Sequence, residues 1–195
     1  GTRRVAQLTA SLSLLLLLGL FLAWPQLAAL DHGLLDLLQS LRSARLDRWQ
    51  VLITDIGGKM PQSIAGGVLV LTLLLLNQRR SAVFAAASLV LTALSGSLLK
   101  LLLQRPRPEV LLEPLHSFSL PSGHSSAAFA FFIVLGVLAG RGQPARWRVT
   151  WLLLAGMPAA AIALSRVYLG VRWPTDVLAG GLLAATVCAT CLALL

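Results

Sequence analysis

Three short stretches of the 195-residue chain hold the residue types suited to binding an anion and moving a proton. The first, KLLLQRPRP, runs from Lys100 through Arg107 to Pro108; the second is PSGH, Pro121 to His124; the third, SRVYLGVRWPTD, runs from Ser165 and Arg166 through Arg172 to Asp176. Pro121 suits the first turn of a helix, where Ser122 and Gly123 leave backbone N–H groups free. A helix N-terminus with free amides is a ready anion site, strongest for phosphate. Lys100, Arg107 and Arg166 supply fixed positive charge, and a guanidinium fork matches pairs of phosphate oxygens. His124, whose ordinary pKa lies near neutrality, is the natural proton donor to a leaving alkoxide. Arg172 and Asp176 are four residues apart and can pair on one helical face, or Arg172 can clamp the anion instead. Taken singly, an arginine at a helix end often snorkels to the interface and does nothing else. The weight falls on three such stretches converging on one face.

The elements that position them belong to a membrane protein. Hydrophobic residues make up 57% of the chain and charged ones 12%, against roughly 45–50% and 25% in soluble domains; the mean hydropathy is +0.82. Disorder is excluded, and a soluble enzyme is disfavoured. A spanning helix needs about 20 mostly apolar residues, and six candidates fit: 5–24, 61–77, 81–103, 122–140, 149–169 and 174–195, the second short enough to borrow from Val51–Ile56. The first is too long in its apolar core, and too poor in cleavage signals, for a signal peptide. Residues 31–50 carry leucines at 34, 35, 38 and 41 and predict one amphipathic helix at the interface, with Trp49 as anchor and with Asp31 and His32 at a solvated start. The expected fold is therefore all-α and polytopic, with six transmembrane helices and an interfacial helix after the first, in a single domain over 1–195. The chain does not begin with Met, which fits a trimmed chain or a piece of a longer one.

The basic residues set an orientation. With the N-terminus inside, the inner segments carry Arg3, Arg4, Arg79, Arg80, Arg141, Arg146 and Arg148 and no acid; the other nine of the 16 cations and all seven acids lie outside. The inner cations are bare flanking arginines, so the positive-inside rule favours both termini in the cytoplasm and the three polar stretches outside. A net charge of +9 would suit nucleic acid, but the cations form no stripe and have little aromatic interleaving, so no nucleic-acid partner is expected. Cys188 and Cys191 lie in the last apolar run and read as two buried hydrophobes. Gly136 and Gly140 form a G-x-x-x-G pair that allows close helix contact. No D-x-D, H-E-x-x-H or cysteine cluster offers a metal site.

These three ordered motifs resemble those of the type 2 phosphatidic acid phosphatase (PAP2) superfamily, namely K-x6-R-P, P-S-G-H and S-R-x5-H-x3-D. The resemblance covers roughly residues 50–190. It implies an integral membrane lipid phosphate or diphosphate phosphatase that needs no cofactor or metal, since fixed cations and helix amides stabilise the charge. Its substrates would be of the undecaprenyl diphosphate, phosphatidylglycerol phosphate or phosphatidic acid type, in a bacterial-type inner membrane with the site facing outward. By the same resemblance His124 is the general acid, Asp176 orients the nucleophile, and Lys100, Arg107, Ser122, Gly123 and Arg166 bind phosphate.

One position departs from the pattern. The family's nucleophilic histidine, which forms a phosphohistidine, corresponds here to Arg172. A guanidinium stays protonated and has no lone pair to attack with, so the covalent step is expected to fail. His32 and His116 are the other histidines, and His116 lies in the outer loop near Pro121. Two other readings use the same residues: a non-catalytic lipid-phosphate binder or transport partner, and a lipid-to-lipid phosphotransferase.

Overall fold

The computed structural model describes residues 1–108 and 117–195, and within them the chain is all helix. Eight helices follow one another: α1 Thr2–Ala23, α2 Ala28–Ser40, α3 Ala44–Ile56, α4 Lys59–Leu75, α5 Arg79–Leu103, α6 Gly123–Ala139, α7 Ala145–Tyr168 and α8 Pro174–Leu194. Four of them, α1, α5, α7 and α8, are long and apolar enough to cross a bilayer, with mean hydropathies of 2.1, 2.0, 1.4 and 2.2 over their best windows. α3 and α4 pass the same test only together, bent by 43° at Gly57 and Gly58, and make a fifth candidate. The apolar α6 has 17 residues, short of the roughly 20 that a hydrocarbon core requires. Each expected span thus has a helix at its place, but length and composition support four or five spans rather than six. The second reaches spanning length only when joined to the preceding helix α3.

The single amphipathic helix expected over 31–50 is two helices. Ser43 breaks it, standing in extended conformation as the N-cap of α3 with its hydroxyl accepting from the Leu46 amide at 3.3 Å. Of the four leucines that suggested one face, only Leu35 is fully buried. Trp49 is exposed.

α8 is the hub. It packs against α1, α5 and α6, and α6 in turn packs along α7. Small side chains let these helices approach: Ala128, Ala130, Ala159, Ala179 and Ala184 are fully buried. At Gly136 a Cβ would lie 3.1 Å from the Trp151 carbonyl oxygen and 3.2 Å from Leu152 Cα, so the G-x-x-x-G face does seat α6 on the backbone of α7. The large side chains point outward: Leu8, Leu15, Leu22, Leu75 and Leu153 are all exposed, as a lipid-facing surface requires. Cys188 and Cys191 are buried and unbridged.

Candidate active site

The start of α6 is locked to the start of α8. The Ser122 amide donates to the Asp176 carbonyl at 3.0 Å, and the Ser125 hydroxyl donates to the Val177 carbonyl at 2.7 Å. Gly180 permits this contact, since a Cβ there would fall 2.8 Å from the Ser122 carbonyl oxygen. Ser122 is the N-cap, its hydroxyl accepting from the Ser125 amide. Two expectations are corrected here. Pro121 precedes the helix and is not in its first turn, and the Ser122 amide is already satisfied. The open amides are those of Gly123 and His124, which have no intrahelical acceptor by position.

Cations from three helices and two connecting segments converge on this helix end. A Cβ on Gly123 would lie 3.1 Å from Lys100 Nζ and 3.8 Å from Lys59 Cε, so the last turn of α5 and the first residue of α4 both reach it. The charges acting on His124 are those of Arg166, Arg172, Lys59 and Lys100. Arg166 donates from Nη1 to the Thr54 hydroxyl at 3.0 Å. Arg107 is held by the Ser117 carbonyl at 2.7 Å, the Val171 carbonyl at 3.1 Å and the Ser117 hydroxyl. Burial lowers the Arg107 guanidinium from its ordinary value. Lys100, Arg107, Ser122, Gly123, His124, Arg166 and Arg172 therefore do share one cup. Sequence reasoning missed Lys59, because a lone lysine before an apolar run looks like any interfacial anchor.

Three buried polar atoms in the cup have no hydrogen-bond partner among the described residues: His124 Nδ1, Arg166 Nε and Arg172 Nε. Buried donors are almost always satisfied, and leaving one bare costs roughly 1–3 kcal/mol. The oxygens of a phosphate would satisfy the two guanidinium N–H groups, and its charge would balance the cations around them.

Arg172 does not pair with Asp176. It is 3% exposed, and its Nη1 donates to the carbonyls of Phe118, at 3.1 Å, and Ser119. It lies before α8, so the four-residue helical spacing that suggested the pair does not apply. Burial, and then the nearby Arg107, draw its guanidinium down to about 9, still a cation at neutral pH.

Asp176 is claimed elsewhere. Its Oδ1 accepts from Arg105 Nη1 at 2.9 Å and its Oδ2 from the Trp173 amide at 2.9 Å. Arg105 Nη2 meets Asp31 Oδ2 at 2.6 Å, and Asp31 Oδ1 accepts from the Thr175 amide at 2.9 Å. The guanidinium lies over the ring of Trp24, 4.7 Å to the centroid, and over that of Trp173, at 5.5 Å. Asp31, Arg105 and Asp176 are all buried, which corrects the expected solvated helix start at Asp31. His32 is exposed, edge-on to Trp173 at 4.6 Å and outside the cup. His116 lies outside the described residues.

Known proteins resemble the chain in sequence and in fold. Residues 81–195 match the PAP2 superfamily. Phosphatidylglycerophosphatase B of Bacillus subtilis (strain 168) is 37% identical over 92 residues, which is 45% of this chain and 44% of that protein. The match thus spans less than half of that relative. Decaprenylphosphoryl-5-phosphoribose phosphatase of Mycobacterium tuberculosis is 31% identical over 165 residues, 80% of this chain and 87% of the relative. The crystal structure of a transmembrane PAP2 type phosphatidylglycerolphosphate phosphatase from Bacillus subtilis superposes with a TM-score of 0.83 over 94% of both chains. At 23% identity that likeness is one of fold.

Proposed function

The chain belongs to the PAP2 superfamily, and from that premise we propose that it is a multi-pass membrane protein of the lipid phosphate phosphatase type, with its cup taking the phosphate of a lipid phosphate or diphosphate. The observation that carries this reading is the convergence of five cations and three unpartnered buried nitrogens on the open end of α6. The amides of Gly123 and His124 and the side chains of Lys59, Lys100, Arg107, Arg166 and Arg172 would hold the phosphate oxygens. His124 would give its proton to the leaving alkoxide, with the bound anion offsetting the positive charge around the ring. In this scheme α6 is the sixth span, entering short because its N-terminus ends at the buried phosphate site. The cup faces outward from a bacterial-type inner membrane.

The family's attacking histidine corresponds to Arg172, so the phosphoenzyme step is impaired in this chain. Phosphate release from phosphatidylglycerol phosphate, undecaprenyl diphosphate and phosphatidic acid in detergent, measured for the chain and for Arg172→His, tests this. Turnover is expected from the histidine variant and little or none from the chain. Equal activity of the two would overturn the role given to position 172 and make His116 the next residue to substitute. Silence of both supports a second reading, favoured by the buried cation at Arg172: a protein that binds or hands on lipid phosphates without cleaving them. Phosphate transfer to a second lipid would need the same restored nucleophile.

A further inference from the structure

The cup occupies one end of the bundle, and a second feature lies at the other. α6 starts at the cup and runs 17 residues away from it, about 25 Å at 1.5 Å per residue. At that far end α1 packs along α8 and is tied to α7 by the Arg148–Thr2 hydrogen bond, leaving the rest of its flank toward α6 and α7 open. The opening is a cavity of about 650 Å³ walled by Val5, Ile133, Val149, Leu152, Ala189 and Leu192, within the roughly 300–1,000 Å³ of small-molecule sites. A smaller chamber of about 190 Å³ adjoins it, sharing Val137, Arg141 and Leu192 with the first and adding Arg80.

Two guanidinium groups stand at the mouth. Arg148 Nη1 donates to the Thr2 hydroxyl at 3.0 Å, and Arg141 Nη1 donates to the Ser81 hydroxyl. Both partners are neutral. The ion pairs among the described residues are Arg42–Asp47, Arg105–Asp31 and Arg105–Asp176, so neither Arg141 nor Arg148 has a carboxylate within reach there. An apolar cleft that opens sideways between helices is filled from the bilayer, not from water. Two uncompensated arginines at its mouth favour a ligand with a negative head, and their forks fit phosphate oxygens.

We propose that this cleft binds one acidic glycerophospholipid, with its acyl chains in the two chambers and its phosphate on Arg141 and Arg148. Zwitterionic lipids of the same tails fill the apolar space but gain less at the mouth. Two basic side chains at a membrane surface support a preference on the order of tenfold. The proposal rests on the chain lying in a membrane and does not depend on the chemistry in the cup.

Native mass spectrometry of the full chain in detergent, titrated with dioleoylphosphatidylglycerol and with dioleoylphosphatidylcholine, tests it. One phosphatidylglycerol per chain is expected to be retained at about a tenfold lower concentration than phosphatidylcholine. Arg141→Gln with Arg148→Gln should reduce that preference to less than twofold. Thr9→Phe, at an exposed position lining the cavity, should abolish retention of both lipids without disturbing a packed residue. Lys100→Gln, in the cup, should leave retention unchanged. Equal retention of the two lipids, an undiminished preference in the arginine variant, loss on Lys100→Gln, or a paired chain in place of a lipid adduct would each overturn the proposal.

Discussion

Arg105 shows how far a motif reaches and where it stops. It sits inside K-x6-R-P as one of the unspecified residues, yet it holds Asp176 and Asp31 together at 2.9 and 2.6 Å in a buried site. Arg105→Leu leaves two carboxylates buried without a counter-charge, and removal of one partner from a buried ion pair costs about 3–5 kcal/mol. Thermal unfolding in detergent should show that loss, with a smaller one for Asp31→Asn, which keeps one of the two acceptor oxygens and leaves the Arg105–Asp176 pair neutral. His124 gives a different signature. In an Arg172→His background, His124→Ala should lower kcat by roughly 10²–10⁴ while phosphate-ester binding and unfolding change little, as steady-state kinetics would separate. Lys100, Arg107, Ser122, Gly123, His124, Arg166 and Asp176 stand out as candidates because their types and spacing form a pattern within short segments. Lys59, Arg105 and Asp31 do not: Arg105 and Asp31 meet across more than 70 residues, Lys59 reaches the start of α6 from a helix far earlier in the chain, and nothing local separates such a residue from a surface charge.

At the level of the helices, the spans were visible as apolar runs, and the errors fell where a short local signal competes with a longer periodicity. Ser43 ends one helix and caps the next, which a leucine repeat running through it conceals. The double glycine at Gly57 and Gly58 turns two helices that would each be too short into a bent pair. Close packing was legible in kind but not in its partner. Gly136→Leu should separate α6 from α7 and destabilise the bundle by about 1–3 kcal/mol, measured by the same thermal unfolding. Gly180→Ala acts on the cup itself, because its Cβ would meet the Ser122 carbonyl at 2.8 Å. It is expected to weaken phosphate binding several-fold by displacing the start of α6, which isothermal titration with inorganic phosphate or vanadate would report. A Gly180→Ala chain with unaltered affinity would show that the α6–α8 contact is not what sets the amides.

For the whole molecule, the two ends carry different chemistry. The ends of α5, α6 and α7 that bear Arg80, Arg141 and Arg148 gather with the beginning of α1, as the hydrogen bonds from Arg148 to Thr2 and from Arg141 to Ser81 show. The cup lies at the opposite end. The positive-inside rule expects the arginine-rich end inside, so a cysteine placed at Ala44, exposed at the start of α3, should react with a membrane-impermeant maleimide in intact cells. A cysteine at Gln78, exposed in the α4–α5 turn, should react only after lysis. Cys188 and Cys191 are buried and add little background. The reverse labelling would turn the protein over. Hydropathy and arginine placement are the signals in the sequence for this polarity, whereas the cavity between α1 and α7 follows from which helices touch and has no signature in any one of them. That contact map also sets an order of events. Among the described residues the first helix packs chiefly along α8, with a hydrogen bond from Arg148 of α7 to Thr2, so as the chain leaves the ribosome α1 lacks its main partner until the final helix emerges. Asp176 arrives with that same helix. Birth of the bundle and completion of the cup therefore fall at one moment, and a chain cut short before α8 lacks both.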